Sequence, residues 1–419
     1  MTQLYDVIIL GAGACGLFTA INIAEGAPHK RILILEKGKE ALGKVRISGG
    51  GRCNLTNGET NLREFVKNYP RGNRELLSAF SRFSNKDTMK WFETHQVALK
   101  EEADGRIFPV SNSSQTIIDC FLSLAKKYNI EILYKQNVHA FSFEKELWKV
   151  QATEVFHSRN LVVATGSNPK VWQLLSQLGH TIIPPVPSLF TFATEDSFIE
   201  GLAGVSKEVN AKLLATDHSP LKIPLLEKQG LVGALLVTHW GFSGPVILRL
   251  SAFAARILAQ LDYKFSLQIN WLAEGEESLN AEETLAILQE EKQKHPRKEM
   301  QNHCPFNLTK KLWNKILERS GVLPHQLWAE LNKGQLHTLT QTLTASTFLI
   351  HDKAPFKEEF VTAGGVSLKE IDFKNFRSKL FPTLYIGGEA LDIDAVTGGY
   401  NFQNAWSGGY LIAEGVKSE

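Results

Sequence analysis

The first 36 residues hold the pattern that most restricts how this chain folds. The apolar run 5–10 leads directly into the turn 11–16, with glycines at positions 11, 13 and 16. A helical pattern over 17–24 follows, and a second apolar run, 31–35, ends in Glu36. This order is typical of a dinucleotide-binding βαβ unit: strand, glycine turn, helix and strand, with an acid twenty residues after the last glycine. We therefore expect a parallel sheet with a dinucleotide at its first turn.

Each position of this turn has a physical role in that prediction. Gly11 permits the tight turn, Gly13 lets the backbone approach a pyrophosphate, and Gly16 permits close packing of helix on strand. The pyrophosphate meets the positive end of the helix dipole, and the Glu36 carboxylate accepts hydrogen bonds from the adenosine ribose. Because an acid at this position favours an unphosphorylated ribose, we expect FAD or NAD here rather than NADP.

Composition excludes several classes of protein. The 419 residues are 43% hydrophobic and 21% charged, which is ordinary globular usage and excludes disorder, collagen and coiled coil. The length suggests two to four domains. A net charge of +2 is too balanced to indicate nucleic-acid binding, and four cysteines without a C-x-x-C pair predict a reduced compartment and no metal.

One uncharged stretch, 7–24, bears on membrane insertion. Asp6 and Glu25 bound it, and three glycines interrupt it, which is unfavourable for a spanning helix. Residues 1–6 carry no basic side chain, so the start does not read as a signal peptide. We expect a cytoplasmic protein that makes no use of a membrane.

Two later glycine-rich segments choose between FAD and NAD. A strand pattern over 160–166 ends in Ala-Thr-Gly, and another over 383–389 ends in Gly-Gly-Glu, followed by the glycine-rich stretch 397–409 and a helix over 410–416. These motifs resemble the two-dinucleotide-fold flavoprotein superfamily, in which such segments complete an FAD site. A simple NAD dehydrogenase would not need the chain to return to its first unit, so FAD is expected. Glu389 stands where most of that superfamily has Asp.

A third segment points to a narrower family. The string 48–57, Ser-Gly-Gly-Gly-Arg-Cys-Asn-Leu-Thr-Asn, is unsuited to a buried strand or stable helix, and predicts a loop of free backbone N–H groups. It resembles a bacterial family that includes aminoacetone oxidase-like, BaiN-type bile-acid reductase-like and ribosomal RNA dihydrouridine synthase-like flavoproteins. Further matches, at 105–109, 238–245, 362–366 and 387–409, extend the resemblance over essentially the whole chain. Val45-Arg46 departs from the Lys and Leu expected there.

The middle of the chain contains no second G-x-G-x-x-G between residues 170 and 380. NAD(P)H is therefore expected as a transient electron donor without a domain of its own. Alternating patterns predict an antiparallel β unit, and residues 279–333 read as helical. With the resemblance, the predicted fold class is α/β, with an antiparallel β domain inserted into a discontinuous Rossmann-like FAD-binding domain. The predicted limits are 1–188 and 350–419 for the FAD domain, 189–275 and 336–349 for the β domain, and 276–335 for a helical subdomain.

Cys53 and Arg52 are the candidate catalytic residues: Cys53 is the candidate proton donor, because it lies in the glycine loop beside Arg52, a setting that tunes thiol acidity. Its alternative reading is a small packed side chain. His239 and Ser243 are candidate pocket residues of the inserted domain, and no Ser/His/Asp arrangement suggests hydrolysis. The residues expected at the cofactor are Gly11, Gly13, Ala14, Cys15, Gly16, Glu36, Lys37, Ser48, Gly49, Gly50, Gly51, Arg52, Cys53, Asn54, Val138, Ala164, Thr165, Gly166, Gly388, Glu389, Gly399, Asn401, Phe402 and Gln403.

Three functions remain open at this point. The first is NAD(P)H-driven reduction of a C=C bond, either in a uridine of ribosomal RNA or in a small enone. The second is oxidation of a small amine with oxygen as acceptor, and the third is a non-catalytic FAD-containing redox sensor that binds RNA. Residues 292–319 hold eight Lys or Arg against two Glu, a local charge of +6. A solvated helix face explains this patch as well as a phosphate-binding surface does.

Overall fold

The computed structural model describes residues 4–224, 226, 230–275, 277–353 and 361–418. The chain divides into two compact units, Met1–Val186 with Thr362–Glu419, and Pro187–Val361. The first unit is α/β with a largely parallel sheet, and the second carries an antiparallel sheet with helices. The predicted fold class is confirmed. A further division of the second unit into a β part and a helical part remains a proposal.

The helices of the described residues are α1 (Ala14–Gly26), α2 (Gly43–Gly51), α3 (Leu62–Val66), α4 (Asn73–Phe80), α5 (Asn85–Thr94), α6 (Ser114–Lys127), α7 (Pro169–Gln177), α8 (Pro245–Gln260), α9 (Ala281–Lys294), α10 (Lys310–Arg319), α11 (Lys333–Ala345) and α12 (Tyr400–Lys417). The strands are β1 (Leu4–Leu10), β2 (Ile32–Leu35), β3 (Thr56–Asn57), β4 (Leu99–Glu101), β5 (Arg106–Pro109), β6 (Glu131–Leu133), β7 (Ala140–Glu144), β8 (Leu147–Gln151), β9 (Val155–Val163), β10 (Ile182–Ser188), β11 (Phe192–Ala193), β12 (Ser206–Leu214), β13 (Leu231–Val237), β14 (Gly241–Ser243), β15 (Phe265–Asn270), β16 (Ala273–Glu274), β17 (Glu277–Ser278), β18 (Ser346–Ile350), β19 (Asp352–Lys353), β20 (Val361–Val366), β21 (Ile371–Asp372), β22 (Arg377–Ser378) and β23 (Leu384–Ile386).

The main sheet of the first unit is parallel at its centre, in the order β23-β9-β1-β2-β6. Strands β2 and β23 and the second halves of β1 and β9 are buried throughout, which is why they are continuous apolar runs. The uncharged stretch 7–24 becomes β1, the glycine turn and α1, as expected. Among the helices of the described residues, none has the length and apolar character that crossing a bilayer requires.

The helix nearest the C-terminus differs from the prediction. We expected a helix over 410–416, whereas α12 begins ten residues earlier, at Tyr400. Its glycines argue against a helix by intrinsic propensity, but α12 packs along α1. A Cβ on Gly409 would lie 3.0 Å from the carbonyl oxygen of Cys15, so glycine is what permits this close approach. Packing therefore outweighs propensity here.

Aromatic side chains from four helices fill the space beside α1. The ring of Phe18 lies 4.6 Å from that of Trp91 and 5.4 Å from that of Trp406, between centroids. Phe121 stacks on Trp406 at 5.6 Å. This cluster fixes α5, α6 and α12 against α1 and so holds the glycine turn in place.

The second unit is built on an antiparallel sheet in the order β18-β15-β12-β13-β14-β11-β19. Helix α8 and the helices α9 to α11 bury their apolar sides in the same core. Helix α10 begins after its cap Thr309 and buries Leu312, Trp313, Ile316 and Leu317 on one face. Most of the segment 336–349, predicted as part of the β domain, is helical, because Asn332 and Gln335 form a capping box that starts α11.

An ion pair joins the ends of α1 and α5. His95 Nε2 lies 2.8 Å from Glu25 Oε1, which also accepts a hydrogen bond from the Tyr128 hydroxyl at 3.1 Å. Burial disfavours both charges, but the mutual interaction prevails. It lowers the pKa of Glu25 and raises the pKa of His95.

We expect the stabilising effect of this pair to depend on pH. Because the pKa of His95 is raised in the folded protein, its contribution to stability is complete below about pH 6.5 and is lost as the pH rises through the folded pKa. Because the pKa of Glu25 is lowered, its contribution to stability is present above about pH 4.5. His95→Gln should therefore destabilise by about 0.5–1 kcal/mol near pH 5.5 and by less near pH 8.5. Denaturant unfolding of both proteins at the two pH values checks this. An equal difference at both would contradict it.

Candidate dinucleotide site

The start of α1 presents free backbone donors. Gly13 caps the helix, and no side chain accepts from its first turn. Leu17 N–H is the first to bond within the helix, to Gly13 O at 3.0 Å. The N–H groups of Ala14, Cys15 and Gly16 therefore remain available at the positive end of the helix dipole, which suits a bound phosphate.

The three glycines of this turn have different surroundings, as the sequence predicted. Gly11 has φ of +101°, and a Cβ there would lie 2.6 Å from Ala164 O. A Cβ on Gly16 would lie 2.0 Å from Gly11 O. A Cβ on Gly13, by contrast, would meet nothing within 4 Å. Gly11 and Gly16 are thus required by the protein itself, whereas the space over Gly13 is open to a ligand.

Glu36 lies at the end of β2 and faces this turn. Its Oε2 accepts from Ala12 N–H at 2.8 Å, and its Oε1 accepts from Gly38 N–H at 2.6 Å. Each carboxylate oxygen keeps a further lone pair for a ligand hydroxyl. The segment after β6 lies against Glu36, since Gln136 N–H donates to Glu36 O at 2.8 Å. Val138, two residues further along this segment, is buried. Lys37 is exposed.

The ends of β9 and β23 lie beside the glycine turn. Ala164 N–H donates to Leu10 O at 2.9 Å. On the β23 side, a Cβ on Gly387 would lie 2.7 Å from Cys15 Sγ, and a Cβ on Gly388 would lie 3.5 Å from Cys15 Cβ. The Cys15 thiol is packed into this contact, and burial raises its pKa to about 12. The structure therefore brings together three segments, at Cys15, Ala164 and Gly387, that lie far apart in the chain.

Glu389 pairs with Lys44 across this surface. Its side chain is largely buried, and a Cβ on Gly166 would lie 3.6 Å from its Oε2. Thr165 and Gly166 therefore line the same side of the site as Glu389. Lys44 was not among the predicted site residues, and only its position in the Gly-Lys approach to the glycine string signals it.

The glycine string 48–54 forms a sharp left-handed bend. Helix α2 runs regularly from Gly43 and leaves helical geometry at Ser48, whose ψ is 149°, where the predicted loop begins. Gly49 and Gly50 then have φ of +56° and +67°. A Cβ on Gly50 or Gly51 would meet nothing within 4 Å, so this part of the backbone faces open space, as the prediction of a ligand-facing segment requires.

Cys53 is fully buried inside this bend. Its backbone N–H donates to Ser48 O at 3.1 Å, and burial raises the pKa of its thiol to about 12. Arg52 does not set the acidity of this thiol. Its guanidinium bonds Glu102 at 2.7 Å and lies over the Phe108 ring at 4.0 Å. Cys53 accordingly stays protonated at neutral pH.

The start of α12 contacts the glycine string. With its amide turned to satisfy both neighbours, Asn54 donates to Thr56 O at 3.1 Å and accepts from Gly399 N–H at 3.0 Å. A Cβ on Gly399 would lie 2.4 Å from Thr56 O, so this contact needs glycine. Thr56 also donates to Gln403 Oε1 at 2.6 Å. Thr56 is a second residue that the sequence-based set missed.

The predicted residues on α12 differ in what they offer a ligand. Gln403 is fully buried, its side chain bonds Thr56, Thr88 and Ser407, and its N–H donates to Gly399 O at 3.0 Å. It therefore organises the site and has no donor left for a ligand. The Asn401 amide closes the loop before the helix through two 3.0 Å bonds to the Ala395 backbone. Phe402 stacks on Trp406. The first N–H groups of α12, at Asn401 and Phe402, remain as helix-terminal donors.

One Ser–His–Glu chain exists that the sequence did not suggest. His180 Nδ1 lies 2.8 Å from Glu370 Oε2, and His180 Nε2 lies 3.1 Å from Ser378 Oγ. The Ser378 oxygen, however, is buried and already accepts from the N–H groups of Leu380 and Phe381. These bonds fix the turn after β22. The chain is structural, because an oxygen with both lone pairs engaged is a poor nucleophile.

The two pocket candidates of the second unit, His239 and Ser243, have different surroundings. His239 is exposed and lines a cavity of about 590 Å³ with Thr194, Glu195, Asp196, Ile199, Glu200, Gly201 and Ala203. Ser243 instead accepts a hydrogen bond from the Thr191 hydroxyl at 2.9 Å. The neighbouring Trp240 is 53% exposed.

The residues of the first unit fit a bound dinucleotide. The open space over Gly13, the free N–H groups of α1 and the carboxylate of Glu36 provide for a pyrophosphate and a ribose. The open backbone at Gly50 and Gly51 provides a second face. Fold and site together define an oxidoreductase of the flavoprotein type, with a Rossmann-type nucleotide-binding domain.

Comparison with known proteins identifies the family. The family model described as "HI0933-like protein Rossmann domain" matches residues 5–415, and the chain belongs to this family. The ribosomal RNA dihydrouridine synthase of Haemophilus influenzae is 29% identical over 434 residues, covering 100% of both chains. The 3-dehydro-bile acid delta(4,6)-reductase of Clostridium scindens is 27% identical over 416 residues, covering 96% of this chain and 97% of that one. The resemblance inferred from the sequence is confirmed.

A solved structure shares the fold. The 3-ketosteroid-delta4-(5alpha)-dehydrogenase from Rhodococcus jostii superposes with a TM-score of 0.52 at 12% identity, covering 100% of this chain and 97% of that chain. At this identity the likeness concerns the fold alone.

Proposed function

We propose that this protein is an FAD-dependent oxidoreductase that uses NAD(P)H to reduce a C=C bond conjugated to a carbonyl, with uridine of ribosomal RNA as the substrate. The observation that carries the proposal is the full-length similarity to two differently named reductases. Dihydrouridine is uridine with its C5–C6 double bond saturated, and a delta(4,6)-reductase also saturates double bonds. We therefore infer for this chain the chemistry that the two names share, saturation of a C=C bond.

The residues of the first unit supply what this reaction needs from a protein. When bound, FAD supplies hydride transfer at its ring. Ala14, Cys15 and Gly16 would hold its pyrophosphate and Glu36 its adenosine ribose. The positive start of α12 favours negative charge beside it. The balance is NAD(P)H plus a proton plus the C=C bond, giving NAD(P)+ and the saturated product. One carbon receives hydride and its neighbour receives the proton.

Cys53 is the proposed source of that proton. It is protonated at neutral pH, and it lies within the bend whose outer face, at Gly50 and Gly51, is open. Because the thiol stays protonated, its proton is available to the carbon that gathers negative charge as hydride is delivered to its neighbour.

Replacing Cys53 tests this role. Cys53→Ala should retain flavin and lose at least about tenfold in kcat, because general acid catalysis is worth about a hundredfold or more. Cys120→Ala, at a half-buried cysteine on α6, is the matched control and should keep its turnover. Single-turnover reoxidation of reduced enzyme by substrate gives the rate. Unchanged turnover in Cys53→Ala would leave Cys53 a packing residue.

Basic residues on α10 support RNA over a small molecule. Of the eight cations in 292–319, three bond carboxylates: Lys294 to Glu290, Lys315 to Glu318 and Arg319 to Asp196. Lys310 and Lys311 lie exposed at the start of α10. The unneutralised part of this surface is therefore smaller than the sequence suggested, but it remains basic.

Neutralising this surface should weaken RNA binding. In Lys310→Gln/Lys311→Gln/Lys315→Gln, the slope of log affinity against log salt should fall by about 2, since Lys315 is already paired and each free phosphate contact contributes about 0.7–0.9. Lys126→Gln/Lys127→Gln on α6 is the control for removed charge. Filter binding of ribosomal RNA across a salt series measures the slope. A slope equal to that of the wild type would exclude the patch from RNA binding.

A small enone is the second candidate, favoured by the similarity to the bile-acid reductase. Incubating the enzyme with NAD(P)H and either ribosomal RNA or a conjugated steroid ketone distinguishes the two. Dihydrouridine in the nucleoside digest supports the RNA proposal. Saturated steroid without dihydrouridine would transfer the proposal to small enones, and peroxide release with an amine would favour the oxidase.

A further inference from the structure

Three side chains with metal-binding atoms meet where α9 ends, in the second unit. Glu291 and His295 lie one helical turn apart, and His295 is the residue that directly follows α9. His303 directly follows the short 3-10 turn Met300–Asn302. One ligand atom from each of the three lies within 4.8 Å of the other two. No metal was expected from the cysteine count and spacing, and His303 approaches the other two residues only through the fold of the intervening loop.

His303 and Glu291 share a hydrogen bond, and the spacings of the ligand atoms lie on either side of those in a coordination sphere. His303 Nε2 lies 2.6 Å from Glu291 Oε2, and His295 Nε2 lies 3.7 Å from the same oxygen. In tetrahedral zinc sites the metal–ligand distances of about 2.0–2.2 Å place ligand atoms about 3.3 Å apart. Small side-chain rotations would therefore bring all three atoms to one ion.

We propose that Glu291, His295 and His303 form a site for a divalent transition-metal ion of the Zn²⁺ type. Two imidazoles and one carboxylate are a ligand set that zinc accepts, with the fourth position left to water. Hard ions such as Mg²⁺ and Ca²⁺ prefer oxygen ligands throughout, so the two imidazoles select against them.

The surroundings favour a cation. The side chains of Glu291, His303 and His295 are 17%, 23% and 35% exposed, so they are held by their neighbours yet reachable from solvent. The His303 ring packs edge-on to the buried Trp328 at 6.0 Å. The end of α9 carries the negative pole of the helix dipole, which attracts positive charge.

One neighbour opposes the metal. Lys298 Nζ lies 3.3 Å from His303 Nδ1. When Nε2 of His303 binds a metal, Nδ1 carries the proton, so the ammonium group must turn away into solvent. Lys298 therefore weakens the site, and removing its charge should tighten binding.

A bound ion would fasten the end of α9 to the loop that leads into α10. The site belongs to the second unit and its argument does not depend on the proposed reductase function. Its expected effect is on the stability of this helical region, which gives it a readout other than turnover.

Cobalt titration of the full-length protein, flavin-loaded, freed of any affinity tag and treated with chelator, tests the site. We expect one equivalent of Co²⁺ to bind with the visible absorption of tetrahedral Co²⁺, and Zn²⁺ to displace it and raise the thermal midpoint. His295→Gln and His303→Gln should each lower the affinity at least about 100-fold. His337→Gln, at an exposed histidine on α11, should bind as the wild type does.

Two results would overturn the proposal. One is the absence of the Co²⁺ spectrum in the wild type. The other is wild-type affinity in both His295→Gln and His303→Gln, with circular dichroism showing that the variants are folded. Lys298→Gln adds an independent check, because tighter binding supports the assigned ligand atom of His303 and weaker binding contradicts it.

Discussion

Gly13→Val should give a folded protein that purifies without yellow colour. Gly13 has an ordinary φ of −85°, and a Cβ there meets no protein atom within 4 Å. Valine is therefore tolerated by the fold but fills the space in which a pyrophosphate approaches α1. We expect FAD affinity to fall by about 100-fold or more, which corresponds to about 2.7 kcal/mol. Flavin absorbance per protein and the far-ultraviolet circular dichroism spectrum are measured together.

The controls separate loss of cofactor from loss of fold. Gly334 lies on α11, in the second unit, and a Cβ there would lie 3.3 Å from Asn332 Oδ1. Gly334→Val should therefore retain flavin. Gly16→Val should fail to fold, since its Cβ would lie 2.0 Å from Gly11 O. Glu36→Ala should also lose flavin, because the ribose loses its acceptor. Normal flavin content in folded Gly13→Val would contradict the assigned site.

Asp394→Asn should lower the free energy of unfolding by about 3–5 kcal/mol. Asp394 is fully buried, and both its oxygens bond Arg71, whose side chain is 10% exposed. The pair ties the segment before α4 to the segment before α12, across 323 residues of sequence. Removing one charge leaves the guanidinium buried without its counter-charge. Urea unfolding followed by circular dichroism measures the loss.

A double variant distinguishes a lost ion pair from lost packing. Arg71→Met/Asp394→Asn removes both charges and should be less destabilised than Asp394→Asn alone, because no buried charge remains unpaired. Arg71→Met is measured as the second single variant. If the double variant loses as much stability as Arg71→Met and Asp394→Asn lose together, Arg71 and Asp394 act independently and do not stabilise the protein as a pair.

The local pattern of the sequence determined much of the fold of the first unit. Glycines 11, 13 and 16 between an apolar strand and helix, and Glu36 after the second strand, predict the βαβ unit because each element follows from short-range preference. The early start of α12 was not predictable in this way. Its glycines disfavour a helix locally, and only the close approach of Gly409 to α1 explains them.

Candidate site residues were predicted where their role follows from neighbours in the sequence, and were missed where it follows from distant partners. Gly13, Glu36, Gly166 and Glu389 follow the ends of strands and were predicted from motifs. Lys44 and Thr56 were missed because their roles depend on partners more than 340 residues away, Glu389 and Gln403. The acidity of Cys53 was also unreadable from its neighbour Arg52, since burial, a property of the whole fold, dominates its pKa.

The most direct test of the central claim is an anaerobic experiment with the purified protein. NADPH or NADH is added and flavin bleaching is followed, after which ribosomal RNA is added to the reduced protein. The account predicts rapid bleaching, and reoxidation by unmodified ribosomal RNA that leaves dihydrouridine in the RNA. Flavin that NAD(P)H cannot reduce, or that is reduced by an amine and recovers only in air with release of peroxide, would contradict it.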